Sequence, residues 1–159
     1  MSNQHQYSVT VKWTGNKGNG TGTYTGYDRS HAVSIKNKPD ILCSSDAAFR
    51  GDKNQHTPED LLVASISSCH MLWYLHLCSQ AGVVVTGYID NAQGTMIVTP
   101  DGGGYFLEVT LYPEVTIIDI SMVEKANELH EKANKLCFIA NSCNFPIHHK
   151  STCKIKSID

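Results

Sequence analysis

The stretch that decides the fold is His56–Gly82, HTPEDLLVASISSCHMLWYLHLCSQAG. It predicts one long helix with marked ends. Thr57 is placed to be the N-cap, Pro58 takes the first helical position, and Asp60 completes a capping box. Glu59 and Asp60 suit the positive end of the helix dipole. The apolar run continues to about Gln80, and Gly82 is a stop signal. That is roughly six turns. So few charges over such a length place this helix at the centre of the molecule.

Working outward, the residues before it read as strands. Tyr7–Trp13 (YSVTVKW) alternates with the strand period and is rich in β-formers. Gly15–Gly22 (GNKGNGTG) is a turn or loop. Thr23–Tyr27 and Ala32–Ile35 are expected to pair as the next strands, with a short continuation at Ile41–Leu42. Ser44–His56 is a polar connection carrying Arg50 and Gly51. After the helix, strands are expected at Val83–Asp90, Thr95–Thr99 and Phe106–Ile117, with Gly94 and Asp101–Gly104 as hairpin signals. Ser121 and Glu124 form a second capping box. The helix they open is expected to reach about Ala140, with Val123, Ala126, Leu129, Ala133, Leu136 and Ala140 along one apolar side. A last strand covers Ser151–Ile158. The order predicts a single α+β domain over residues 1–159, with two β-sheet segments around a long buried central helix and a second, amphipathic helix.

Composition excludes several classes. The formal net charge is -2, so the basic surplus that nucleic acid or an anionic membrane would demand is missing. Met1–Val11 lacks the apolar core of a signal peptide, and no uninterrupted apolar stretch approaches bilayer length. A cytoplasmic location is the resulting expectation. There thiols stay reduced, so the six cysteines are not read as a structural disulfide framework. There is no GxSxG of a nucleophile elbow, and no capped helix follows the Gly15–Gly22 run to cradle a phosphate.

Chemistry concentrates on sulfur. Cys69 follows the three-four spacing of Leu62, Ile66, Trp73 and His76 on the long helix. Two readings of it stand: a small hydrophobe in the core, or a reactive thiol, favoured by the polar neighbours Ser67, Ser68 and His70. Cys137 lies near the end of the second helix, on or beside its apolar face. Two helices crossing in one core could bring the pair within disulfide reach, Cα atoms roughly 4.4–6.8 Å apart. Arg50 is either a solvated loop charge or a guanidinium facing a thiolate, whose charged form it would favour. Glu59 is either a dipole partner or the carboxylate holding Arg50 in a bidentate pair. Glu59 and Cys69 are ten residues apart, about 15 Å along one helix. Two antiparallel copies of the helix across a twofold would bring Glu59 of one chain near Cys69 of the other, which predicts a homodimer with composite sites.

These segments resemble a known family. HTPEDLLVASISSC resembles the signature of the osmotically inducible protein C / organic hydroperoxide resistance (OsmC/Ohr) family, in which Pro-Glu opens the central helix and the reactive cysteine follows ten residues after that Glu. ANKLCFIANSCNFPI, Ala133–Ile147, is similar to the family's second-cysteine region, and FRGD places an arginine nine residues before Glu59. The resemblance implies that Cys69 is the peroxidatic cysteine, Cys137 the resolving one, Arg50 the activating arginine and Glu59 its partner. It also implies an intertwined homodimer with sites at the interface. The implied activity is a thiol peroxidase: Cys69 becomes a sulfenic acid as an organic hydroperoxide is reduced, Cys137 condenses with it, and a lipoyl-type dithiol recycles the pair, with no metal or organic cofactor. Phe138 and His70 depart from the family pattern, standing where it often has Pro and an aromatic. Cys43, Cys78, Cys143 and Cys153 match no family role, and Cys143 is an alternative resolving thiol.

Two rivals remain. One is a non-catalytic protein of the same fold that binds a small apolar or thiol ligand. The other is a Cys/His metal protein built on His148, His149, Cys143 and Cys153, against which stands the absence of a close Cys pair in zinc spacing.

Overall fold

A computed structural model describes residues 4–156, and the chain divides into two compact units, Met1–Leu61 and Leu62–Asp159. The first unit holds a three-stranded antiparallel sheet in sequential order: β1 (Thr10–Trp13), β2 (His31–Ser34) and β3 (Ile41–Cys43). Its first strand is shorter than the alternation of Tyr7–Trp13 predicts. Thr10 pairs with Ser34, the last residue of β2, and the chain then turns through Asn37 at φ 63, so Tyr7–Val9 have no strand beside them.

Thr23–Tyr27 is not a strand. Turns occupy it: Gly26 N–H donates to the Thr23 carbonyl at 3.0 Å. Asn16 Oδ1 accepts from the N–H groups of Gly18 and Gly20, both at positive φ. The Arg29 guanidinium donates to the Tyr24 and Tyr27 carbonyls and lies over both rings, 4.4 and 4.2 Å from their centroids. Side-chain hydrogen bonds here replace a ladder that β propensity alone would have favoured.

α1 (Pro58–Ala81) follows the sequence reading closely. Thr57 Oγ1 accepts from Asp60 N–H at 3.1 Å, and Asp60 Oδ2 accepts from Thr57 N–H at 2.9 Å, the reciprocal capping box. At the other end Gly82 adopts φ 75, Val83 N–H reaches the Cys78 carbonyl at 2.9 Å, and Gly82 N–H reaches that of Ser79. This is a Schellman stop, in which glycine takes the left-handed position without a Cβ penalty. By length and composition α1 could cross a bilayer, but one stripe of it is packed in the core: Ile66, His70, Tyr74, Leu77 and Cys78.

The rest of the second unit gives α1 two sheets to pack on. β4 (Val85–Asp90), β7 (Pro113–Ile117) and β9 (Thr152–Ile155) form one, in the order β4-β7-β9. β5 (Gln93–Val98), β6 (Gly104–Leu111) and β8 (Ile147–His149) form the other, in the order β5-β6-β8. Ile66 packs with Val109 and Leu111 of the second sheet. Tyr74, Leu77 and Cys78 pack with Val115 and Ile117 of the first and with Ala126, Leu129 and Ala133 of α2 (Val123–Leu136). Emptying a fully buried position such as Ile66 to Ala would cost about 2–5 kcal/mol.

Phe106–Ile117, expected as one strand, is two. Between them Tyr112 N–H donates to Asp90 Oδ1 at 2.7 Å, and Pro113 has no N–H to give a ladder, so the chain leaves one sheet and enters the other. Gly94 lies inside β5 and not at a hairpin tip; a Cβ there would meet Phe106 and Val63 side-chain atoms at 2.7 and 2.8 Å.

The start of α2 also differs. Asp119, not Ser121, caps: its Oδ1 accepts from Ser121 N–H and Oγ, opening a 3-10 turn Ile120–Met122 that leads into α2. The helix stops at Leu136, short of Ala140. Asn141 Nδ2 donates to the Lys135 carbonyl and Ser142 Oγ to that of Phe138, satisfying carbonyls that further helical turns would have used. β8 was not foreseen. β9 is shorter than Ser151–Ile158, of which 157–158 lie outside the described residues.

Candidate functional site

Cys69 and Cys137 come together. Cys69 lies on α1, half-buried. Cys137 is the first residue beyond α2, fully buried, at φ −65 and ψ 112. That extended conformation ends the helix and turns the thiol inward, where its Sγ accepts from Ala140 N–H at 3.4 Å. Its thiol is a neighbour of that of Cys69. Burial, then the neighbouring Cys69 thiol, pushes the Cys137 thiol up to about 11, so it is protonated at neutral pH. The two sulfurs are therefore unequal. One is reachable from solvent, and the other is sealed and held as a thiol.

The wall beside the pair is aromatic. Trp73, one turn after Cys69, meets Phe138 edge-on at 5.5 Å and His76 at 5.8 Å. Leu72, Trp73 and His76 line a groove of about 300 Å³. Ser67 is tied away from the sulfurs: its Oγ donates to Asp90 Oδ2 at 2.5 Å, linking α1 to the carboxylate that directs the β6–β7 switch.

Arg50 and Glu59 do not pair with each other; theirs is not among the ion pairs of the described residues. Arg50 is exposed, at φ 66 after the 3-10 turn Ala47–Phe49, with its guanidinium 6.0 Å from the Tyr24 ring centroid. Glu59 is half-buried in the first turn of α1.

The remaining cysteines go elsewhere. Cys143 donates its thiol to the Ile139 carbonyl at 3.3 Å and packs toward Ile66, Val109 and Leu111. Cys78 and Cys153 join the Tyr74 core, and Cys43 is buried at the end of β3. His148 and His149 point to different surroundings. His148 is exposed 3.6 Å from Glu108, whereas the His149 ring lies 5.7 Å from that of His70 and 6.0 Å from that of His130.

The sequence reading singled out His70 without a destination and passed over His130. They meet in the core: His70 Nε2 and His130 Nδ1 are 3.0 Å apart, with both residues 1% exposed. The signal was present, since His130 falls on the buried stripe Ala126, Leu129, Ala133 of α2.

A half-buried thiol beside a sealed one, carried by a long capped helix between two small sheets, defines a dithiol-bearing α+β domain. The OsmC-like protein family matches residues 51–152, and the chain belongs to it. Among solved structures, an OsmC-like protein of unknown function from Vibrio cholerae is similar at 26% identity and a TM-score of 0.84, covering 94% of this chain and 100% of its own. An organic hydroperoxide resistance protein from Elizabethkingia anophelis is similar at 21% identity and 0.67, covering 96% and 99%. The organic hydroperoxide resistance protein OhrB of Bacillus subtilis follows at 17% and 0.59, covering 96% and 98%. No curated protein sequence matches the chain.

Proposed function

We propose that this protein is a thiol peroxidase that reduces organic hydroperoxides to alcohols. Cys69 thiolate attacks the peroxide oxygen, the O–O bond breaks, the alcohol leaves with a proton, and Cys69 becomes a sulfenic acid. Cys137 then attacks that sulfur, water leaves, and a Cys69–Cys137 disulfide forms. An external dithiol, of lipoyl type, supplies two electrons and two protons to restore both thiols.

The observation that carries this reading is the unequal pair of neighbouring thiols. A half-buried sulfur is open to a hydroperoxide, and a sealed protonated thiol beside it is in place to resolve the product. Support comes also from the names of similar structures, two of which are organic hydroperoxide resistance proteins. The apolar wall of Leu72, Trp73 and Phe138 favours an alkyl or aryl hydroperoxide over hydrogen peroxide.

Arg50 and Glu59 complete the site in a homodimer. The guanidinium stabilises the thiolate and Glu59 orients the guanidinium. About 15 Å of helix between Glu59 and Cys69 favours assembly from two chains. Recycling by a dithiol fits a reducing compartment such as the cytoplasm.

The test is steady-state consumption of cumene hydroperoxide with dihydrolipoamide as reductant. Turnover that requires both Cys69 and Cys137 supports the assignment. Hydroperoxide left intact by the reduced protein would refute it.

A further inference from the structure

We propose that the buried His70–His130 pair is a positioning clamp for the dithiol, fixing α1 against α2 so that Cys69 and Cys137 stay within bonding reach. The inference rests on the reading of Cys137 as the resolving thiol.

Both contacts join the same two segments of chain. His70 is the neighbour of Cys69 on α1, and His130 lies seven residues before Cys137, two turns back on α2. A slide or rotation of one helix on the other moves both pairs together. Disulfide formation tolerates little of it, because Cα and Cβ separations must stay within narrow limits.

The pair is held from several sides. The Tyr74 ring stacks on that of His130 at 3.8 Å and 11°, and His149 of β8 lies tilted against both imidazoles. Burial, with the neighbouring imidazoles adding to it, drives His70 down to about 4 and His130 down to about 3, so both are neutral at pH 7. One must then donate and the other accept. Donation from His70 Nε2–H leaves at His70 Nδ1, which is buried without a partner, an acceptor only.

Such an arrangement is unfavourable for packing alone. Aliphatic side chains at the same places would bury apolar surface without an unsatisfied nitrogen, whose desolvation costs about 1–3 kcal/mol. What the imidazole pair offers that leucines do not is direction: a hydrogen bond narrow in length and angle, where an apolar contact lets helices slip. A shared metal is the competing use of three nearby histidines. The 3.0 Å between Nε2 and Nδ1 is a proton-sharing contact, and no group of three or more potential ligands among the described residues is arranged to hold an ion.

The experiment measures disulfide formation without any hydroperoxide. Reduced full-length protein is equilibrated with reduced and oxidised glutathione. Cys69 and Cys137 give up two electrons and two protons to one glutathione disulfide, yielding two glutathione thiols, and the fraction disulfide-linked gives the effective concentration of the pair. His130→Leu leaves His70 Nε2–H without its acceptor and should fold with a thermal midpoint lower by a few degrees, and should show at least a tenfold lower effective concentration. His130→Asn, whose Oδ1 can accept from His70 Nε2–H, should recover most of it. Should His130→Leu fail to fold, His70→Leu removes the same bond from the other side and is read in the same way. Wild-type effective concentration in the folded leucine variant would overturn the clamp, as would an asparagine variant no better than leucine. A wild-type pair that forms no disulfide at all would instead strike down the reading of Cys137 as a resolving thiol, and the clamp with it.

Discussion

Two pairs of side chains of opposite character join α1 to α2 and the residue that follows it. At the first, half-buried Cys69 meets the sealed thiol of Cys137 beside an open aromatic groove. At the second, His70 and His130 meet with both rings withdrawn from solvent. The difference lies in access. A reactive group needs one member that a substrate can touch, and the sulfur pair has it. The imidazole pair has none, so its influence on chemistry runs through the position of the helices.

Removing the exposed sulfur breaks the comparison most severely. Cys69→Ser should abolish hydroperoxide consumption, read directly as residual peroxide, while circular dichroism stays that of the folded protein. Cys137→Ser should come next: about one equivalent of hydroperoxide consumed per chain and a stall at the sulfenic acid, with a second equivalent consumed only as Cys69 is oxidised on to sulfinic acid, read in the intact mass. Arg50→Ala should be milder. Since each tenfold change in thiolate fraction corresponds to about 1.4 kcal/mol of stabilisation, loss of a nearby guanidinium should slow alkylation of Cys69 by roughly tenfold at neutral pH. An unchanged alkylation rate would remove Arg50 from the site.

The smallest effect sharpens the other contact. The folded state depresses His70 and His130 below their ordinary 6.5. Their contribution is therefore present above pH 6.5 and lost as pH falls through about 4 and about 3, because the unfolded chain takes up protons that the folded one refuses. The facing groups are His149, itself lowered by burial, with Glu131 and His148 acting on it, and the neutral Tyr74 phenol. Thermal midpoints should fall by a few degrees or more between pH 7 and 4.5. A His70→Leu, His130→Leu double variant should flatten that slope.

The sequence made α1 legible to within a residue or two, because caps and stops are local: Thr57 with Asp60 at one end, Gly82 at the other. It also pointed to both sulfurs. What stayed hidden depends on contacts distant in the chain. Asp90, twenty-two residues away, takes the Tyr112 N–H and splits one apparent strand in two. Arg29 gathers the Tyr24 and Tyr27 carbonyls and keeps a β-prone segment in turns. The apolar stripe of α2 marks His130 as buried, but its partner, sixty residues earlier, emerges only when the two helices are placed together.

The central claim is that Cys69 and Cys137 are redox partners. The most direct measurement is thiol mapping by mass spectrometry after one equivalent of cumene hydroperoxide is added to the reduced protein. The predicted product is a single Cys69–Cys137 disulfide, with Cys43, Cys78, Cys143 and Cys153 still free. A disulfide joining Cys69 to another cysteine, or oxidation that bypasses Cys69, would contradict the account.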